Sequence, residues 1–330
     1  MSDPIRLLIA DHGGSGLREE LRPLEALGLE LVPSSEVETT LGLLERGAAE
    51  LLVMENTRLD DLGRGHLSHL LARPRPIPLL LLAEDEDAIS AIIAGRTLRG
   101  VPWDLVRKGA PVEELLLRSE RLLEQSDVLA QLDKARYQAS HDDLTGLLRS
   151  RPFGERLREH YSATQRHRLE LALVLIDLDD FGRINKEFDH TVGDEVIARA
   201  GETIRTSLRE EDIGARIGGD EFALILPFTS RVDAARVVSR LAARIRGLSG
   251  PPTGLRPFVD QRQGDLRRSV RVSASIGFET YDGRDLESLE DLRLHAEQAL
   301  HTAKRRGGNQ GVYYRSLNPG QEASVSAFGT

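Results

Sequence analysis

The chain has 330 residues, a formal net charge of −9, 40% apolar and 29% charged residues, and no cysteine. That length suits two domains; the missing cysteines exclude disulfides and thiolate metal sites, and the negative charge argues against broad nucleic-acid binding, which needs a positive field against phosphates. No run approaches the ~20 apolar residues of a membrane span, and Ile5–Ala10 is too short for a signal-peptide core, so we expect a soluble, cytoplasmic protein with neither membrane nor nucleic acid as partner.

Residues 1–110 alternate short apolar runs with helical patterns. "IRLLIAD" predicts a buried strand, and Leu17, Leu21 and Leu24 give "GLREELRPLEALG" a helical spacing. "LELVPSS" is a second strand and "VETTLGLLERG" a helix that stops at Gly47, a C-terminal cap signal. "AELLVME", "IPLLLLAED" and "WDLVRKG" supply three more strands. Strand–helix alternation of this kind predicts a doubly wound α/β domain on a five-stranded parallel sheet. Residues 111–140 lack glycine, open on Pro111, and place Leu115, Leu122 and Leu129 every seven residues with Leu132 three further on. That pattern predicts a helical stalk able to pair with a second copy, or else one helix packed on a domain.

A third segment, 141–315, mixes its elements differently and predicts an α+β or mixed α/β domain, palm-like if the family resemblance given below holds. Leu171–Ile176 is a strand running into acids. "TVGDEVIARAGETIRTSLR" is an amphipathic helix, "IGARI" and "FALILP" form a hairpin around Gly218-Gly219, and "RVDAARVVSRLAARIRGL" is a further helix. "SVRVSASIGFET" and "LEDLRLHAEQALHTAKRRGGN" close the domain as strand and helix. Residues 249–269 are expected to form a long loop and 316–330 a disordered tail.

The acids carry the chemistry. Asp177, Asp179 and Asp180 follow one strand, and Asp220 and Glu221 follow the hairpin turn. If the two strands are neighbours, these carboxylates converge at one sheet edge and repel unless a cation sits between them. Hard oxygen donors favour Mg²⁺ or Mn²⁺, and two such ions serve in-line phosphoryl displacement. "DLDDFGRIN" suits a turn whose backbone N–H groups face phosphate oxygens, and Gly218 and Gly219 clear room for a planar ligand. Asn185 and Asp194 form an amide–carboxylate pair able to read the donor edge of guanine, which adenine lacks. Singly, each of these acids suits a turn or a helix cap, Asp194 included.

Together the motifs resemble the GGDEF-domain diguanylate cyclases, which make cyclic di-GMP from two GTP molecules. The signature stands as Gly218-Gly219-Asp220-Glu221-Phe222. "DDLTGL" (142–147), "DLDDF" with Asn185 and Gly193-Asp194, "SIG" (275–277) and "AEQALHTAK" (296–304) accompany it in order. The resemblance implies that Asp177, Asp220, Glu221 and the Leu178 carbonyl hold two divalent ions per GTP, and that Glu221 is a ligand or helps deprotonate the 3′-hydroxyl. It implies that Asn185 and Asp194 hold guanine, and that backbone amides of Asp180, Phe181 and Gly182 touch the β and γ phosphates beside Lys304 and Gly219. Two such domains face each other in a homodimer. An Arg-x-x-Asp pair, Arg209 and Asp212, stands at the offset of the family's inhibitory product site, with Arg240 on a second surface. Departures concern cations: Gly182 and Gly308 stand where the family usually has lysine and arginine. They imply activity with a raised KM, and keep open the alternative of a cyclic di-GMP receptor with a decayed site. A DNA polymerase-like palm shares the two-metal logic, but the acidic net charge and the absence of a basic channel in this sequence argue against it.

Residues 4–125 resemble a response-regulator receiver domain, with weaker motifs. Asp11 matches one metal-site acid, with His12 replacing its usual acidic neighbour; Glu55 stands at the phosphoacceptor position, Ala83 at the switch hydroxyl and Lys108 at the last-strand lysine. Those substitutions imply a pseudo-receiver that dimerises without phosphorylation.

Overall fold

The computed structural model describes residues 4–14, 16–55, 76–84, 101–188, 190–249 and 270–317. It divides into two compact units, Met1–Tyr137 and Gln138–Thr330. The expected 249–269 loop and the 316–330 tail fall outside the described residues except at Ser249 and at Ser316 and Leu317.

In the first unit β1 (Ile5–Ala10), β2 (Leu29–Ser34), β3 (Leu51–Glu55), β4 (Leu79–Ala83) and β5 (Trp103–Arg107) form a parallel sheet in the order β2-β1-β3-β4-β5. Strands covered on both faces read as continuous apolar runs, and β3 and β4 are buried throughout. Helix α1 (Leu17–Leu21) stops early, because Pro23 has no N–H to continue it; Arg22–Leu27 tightens into a 3₁₀ turn, so the expected single helix is two short pieces. On one face α1 packs with the start of α3 (Val112–Ser140), and on the other lies α2 (Val37–Glu45).

Helix α3 resolves the heptad pattern. Leu115 and Leu122 are each 1% exposed in the core beneath the sheet. Ser126 Oγ donates to the Pro76 carbonyl at 2.6 Å, and Arg118 pairs with Asp104 at 2.9 Å. Leu129 and Leu132 are 37% and 44% exposed. The first half of the pattern is therefore core packing within this unit. Leu122→Ala should lower the denaturant-measured stability of this unit by about 2–5 kcal/mol, and Leu132→Ala by less than ~1 kcal/mol. The reverse order would show that a second copy holds this helix.

The second unit carries a six-stranded mixed sheet, ordered β11-β10-β7-β9-β8-β6. Its strands are β6 (Leu148–Arg149), β7 (Leu171–Leu178), β8 (Ile213–Arg216), β9 (Glu221–Pro227), β10 (Ala274–Tyr281) and β11 (Gly311–Tyr313). Side chains alternate across β7. Ala172, Val174, Ile176 and Leu178 face a core shared with α5 (Phe181–Phe188), α6 (His190–Arg205) and α7 (Arg231–Arg246). Leu171, Leu173 and Leu175 face α4 (Ser150–His167) and α8 (Leu289–Arg305). That parity sends Asp177 toward the α8 side. β7 is central, flanked by β9 and β10, both antiparallel to it.

Candidate active site

Strand β7 runs two residues beyond its expected end, so Asp177 lies inside the strand. It is paired with Glu221, the first residue of β9. Directly opposed residues of an antiparallel pair point to the same face, and like charges there repel. Asp220 sits one residue earlier in the turn, where its carbonyl accepts from Leu178 N at 3.2 Å. The hairpin tip and the strand end thus share one sheet edge. Asp177 is 7% exposed, and burial pushes its carboxyl above the usual range, with Asp220 and Glu221 adding to that push. Lys304, near the end of α8, opposes it: its Nζ lies 2.6 Å from Asp177 Oδ2. The ammonium is a stand-in cation for a site made of hard oxygens. Among the described residues no three acidic or imidazole side chains form a ready metal cage. Asp177, Asp220, Glu221 and the Leu178 carbonyl fit a divalent ion chemically, and Lys304 Nζ holds Asp177 Oδ2 where such an ion would compete for it.

The turn that carries Asp220 is clamped from outside. Arg216 Nε and Nη2 donate to the Gly219 carbonyl at 3.1 and 2.8 Å, and its Nη1 donates to both Asp142 oxygens at 3.2 Å. Asp142 Oδ1 also accepts from Thr145 N and Oγ1 at 3.0 and 2.8 Å. Burial raises the Asp142 carboxyl, but the bonds from Thr145 and Arg216 outweigh it and hold the group below the usual range. The "DDLTGL" segment therefore serves to fix the hairpin. At Gly218 a Cβ would lie 2.5 Å from Glu221 Oε2. The space belongs to a carboxylate, whereas Gly219 faces open space.

The candidate nucleotide residues lie just beyond β7. Asp180 adopts a left-handed φ of 53° and turns the chain into α5, whose first N–H groups lack intrahelical partners. The amides of Phe181 and Gly182 are among these, next to the acids. Asn185, on α5, has a buried Oδ1 with no hydrogen-bond partner. A Cβ at Gly193 would lie 1.9 Å from that oxygen, so only glycine leaves the amide its place. An orphaned buried acceptor is costly and fits a ligand N–H. Asp194 is exposed and lies inside α6, which excludes the helix-cap alternative. Asp179, grouped by sequence reasoning with the converging acids and given no role of its own, binds both β10 and the loop after α8. The only signal for it was its place in the run of acids.

Arg209 and Asp212 meet in the turn before β8, where Arg209 N donates to Asp212 Oδ2 at 2.9 Å. The Arg209 side chain is exposed, and Arg240 Nη2 donates to the Ser207 carbonyl at 3.2 Å. Burial raises the Asp212 carboxyl. In the first unit Glu55, at the end of β3, is buried and ion-paired to Lys108, which also reaches Glu84 at 3.0 Å. Ala83 is buried at the end of β4, where its carbonyl accepts from Lys108 N at 2.9 Å. Asp11 directly follows β1 and its N donates to the Ser34 carbonyl at 2.8 Å. His12 turns inward, its Nε2 2.9 Å from Thr40 Oγ1.

Acids gathered at one edge of a mixed sheet beside a glycine-flanked hairpin are the features that the family comparison bears on. The family model of the diguanylate cyclase GGDEF domain matches residues 139–310, just over half the chain, and the chain belongs to that family. It is 32% identical over 178 residues to the bifunctional diguanylate cyclase/cyclic di-GMP phosphodiesterase MucR of Pseudomonas aeruginosa, covering 54% of this chain and 24% of that protein. It is 38% identical over 202 residues to the diguanylate cyclase TpbB of Pseudomonas aeruginosa, covering 60% of this chain and 41% of that one. The matched region spans about a quarter of the length of the first curated relatives. The solved coiled coil and GGDEF domain of DgcB from Caulobacter crescentus, in complex with c-di-GMP, shares the fold at a TM-score of 0.52 and 24% identity, over 61% of this chain and 98% of that one. No helix among the described residues is long and apolar enough to cross a membrane.

Proposed function

We propose that this chain is a diguanylate cyclase that condenses two GTP into cyclic di-GMP and two pyrophosphates across a homodimer. The observation that carries it is Asp177 buried opposite Glu221, with Asp220 beside them, a cluster of like charge that a bound cation would relieve. Asp177, Asp220, Glu221 and the Leu178 carbonyl would hold Mg²⁺ or Mn²⁺, two per GTP, which when bound neutralise phosphate charge and acidify the attacking hydroxyl. Asn185 and Asp194 take the guanine edge. The amides of Asp180, Phe181 and Gly182 hold terminal phosphate oxygens, and Lys304, freed from Asp177, joins them. Glu221 receives or relays the 3′-hydroxyl proton. The hydroxyl oxygen then bonds to the α-phosphorus of the facing GTP, and the bond from that phosphorus to the bridging α–β oxygen breaks to release pyrophosphate. The reciprocal attack closes the ring, so one domain supplies half a product and turnover requires two.

The first unit acts as a pseudo-receiver that supports dimerisation without phosphorylation. The Glu55–Lys108 pair already supplies the contact a phosphoryl group would make, and incubation with acetyl phosphate and Mg²⁺ should leave mass and oligomeric state unchanged. Arg209, Asp212 and Arg240 form an inhibitory product site: Arg209→Ala should raise the cyclic di-GMP concentration for half-inhibition more than about 10-fold, the cost of one charge-assisted bond, with the uninhibited rate unchanged. Gly182 and Gly308 favour one second reading, a cyclic di-GMP receptor, because two cationic phosphate partners are absent. The full chain, freed of bound product and given GTP and Mg²⁺, distinguishes the two by chromatography: cyclic di-GMP formation supports the cyclase, and product binding without formation supports the receptor.

A further inference from the structure

Asp179 is the first acid after β7, and the partners of its carboxylate are none of the side chains assigned to metal or guanine. Its Oδ2 accepts from Ser273 Oγ at 2.6 Å and from Asn309 N at 2.8 Å, and its Oδ1 accepts from Ser275 Oγ at 2.6 Å. Its own N–H donates to the Ser273 carbonyl at 2.9 Å. One carboxylate thus gathers three donors from two chain segments, and bonds to an ionised acceptor are the stronger kind. Ser275 is fully buried and is the β10 residue paired with Asp177.

Asn309 ends the loop that follows α8. Gly307 N and Gly308 N fold back onto the Lys304 and Ala303 carbonyls, each at 3.1 Å, and Gly307, Gly308 and Asn309 take left-handed φ values of 101°, 72° and 54°. Asn309 Oδ1 accepts from Arg246 Nε of α7 at 3.0 Å. The wound loop therefore fixes where α8 ends, and Lys304 stands in its last turn. Gly308 presses on the same carboxylate: a Cβ there would lie 2.8 Å from Asp179 Oδ1.

We propose that Asp179 is a positioning residue, which sets the Lys304 ammonium against the acids of β7 and β9 by tying the loop after α8 to the ends of β7 and β10. It rests on the nucleotide reading above and adds to it a residue that acts only through Lys304. Gly308 then suits this clamp, because a Cβ there would crowd the Asp179 carboxylate.

A double-mutant cycle on the full chain tests this. Asp179→Asn puts an amide where Asn309 N–H and two hydroxyls now find a carboxylate. Lys304→Met removes the ammonium. Each should lower kcat/KM for GTP, and weaken the Kd of a fluorescent GTP analogue with Mg²⁺, by about 10-fold or more. If Asp179 acts through Lys304, the double variant is no worse than Lys304→Met. Losses that multiply would overturn the proposal, as would wild-type values in Asp179→Asn. Should Asp179→Asn fail to fold by circular dichroism, the Ser273→Ala/Ser275→Ala pair, which withdraws two donors from the same carboxylate, takes its place with the same expectation. A wild-type chain that binds GTP without turnover removes the cyclase reading, and the cycle is then decided in Kd alone. One that binds no GTP removes both.

Discussion

Asp220→Ala should leave a folded chain whose cyclic di-GMP formation from GTP and Mg²⁺ falls more than about 100-fold, the scale of losing one preorganised group that stabilises transition-state charge. Asp220 is half-buried beside two further acids, so its loss relieves repulsion and costs the fold little. Melting should stay within ~2 °C of wild type, as expected for a surface change of about 0.5 kcal/mol. Activity and stability are thereby separated: a residue kept for structure loses both, and a residue that holds a cation against phosphate loses only the first. Retained turnover in Asp220→Ala, read by chromatography, would remove the hairpin tip from the chemistry.

Gly277→Ala should have the opposite profile. Gly277 lies in β10 opposite Leu175 of β7 and Val312 of β11. A Cβ there would lie 2.1 Å from Leu300 N and 2.4 Å from the Ala296 carbonyl, both backbone atoms of α8. Backbone cannot rotate away as a side chain can, so the helix must lift off the sheet. Overpacking of this kind costs about 3 kcal/mol or more, equivalent to roughly 6–12 °C in Tm for a unit of this size. Because α8 carries Lys304, turnover should fall as well. Gly182→Ala is the matching control: nothing lies within 4 Å of a Cβ at that exposed position, so its Tm should hold or rise slightly. A Gly277→Ala protein that melts with wild type would mean that α8 sits less tightly on β10 than described.

The spacing of the "SIG" motif gave no hint of that contact, because closeness between a strand and a later helix is a property of packing. Legibility elsewhere follows the same division. Local periodicity revealed every strand of the parallel sheet, since each is a short apolar run bounded by turn residues. It missed α4, whose apolar face is only Phe153, Leu157 and Tyr161 in a polar helix, and β11, which is three residues long. The leucine spacing around Pro23 argued for one helix, which the proline divides in two. In the site, motif residues were legible because charge was clustered where strands end. The supports were not: Arg216 on Asp142 spans 74 residues and Asn309 on Asp179 spans 130. Nor was Glu279, fully buried in β10 against Arg315, where burial pushes its carboxyl up to about 7. An acid in an alternating strand reads as solvent-facing until the partner element is known.

The most direct measurement is the affinity of an unreactive GTP analogue by titration calorimetry, with Mg²⁺ and with EDTA, for wild type and Asp177→Asn. Asp177 and its neighbours should bind the triphosphate through a divalent ion, so withdrawing Mg²⁺ should weaken wild-type binding at least about 10-fold, or 1.4 kcal/mol. Asp177→Asn in Mg²⁺ should then match wild type in EDTA. Equal affinity under all four conditions would contradict a metal-bridged nucleotide at the edge shared by β7 and the β8–β9 hairpin.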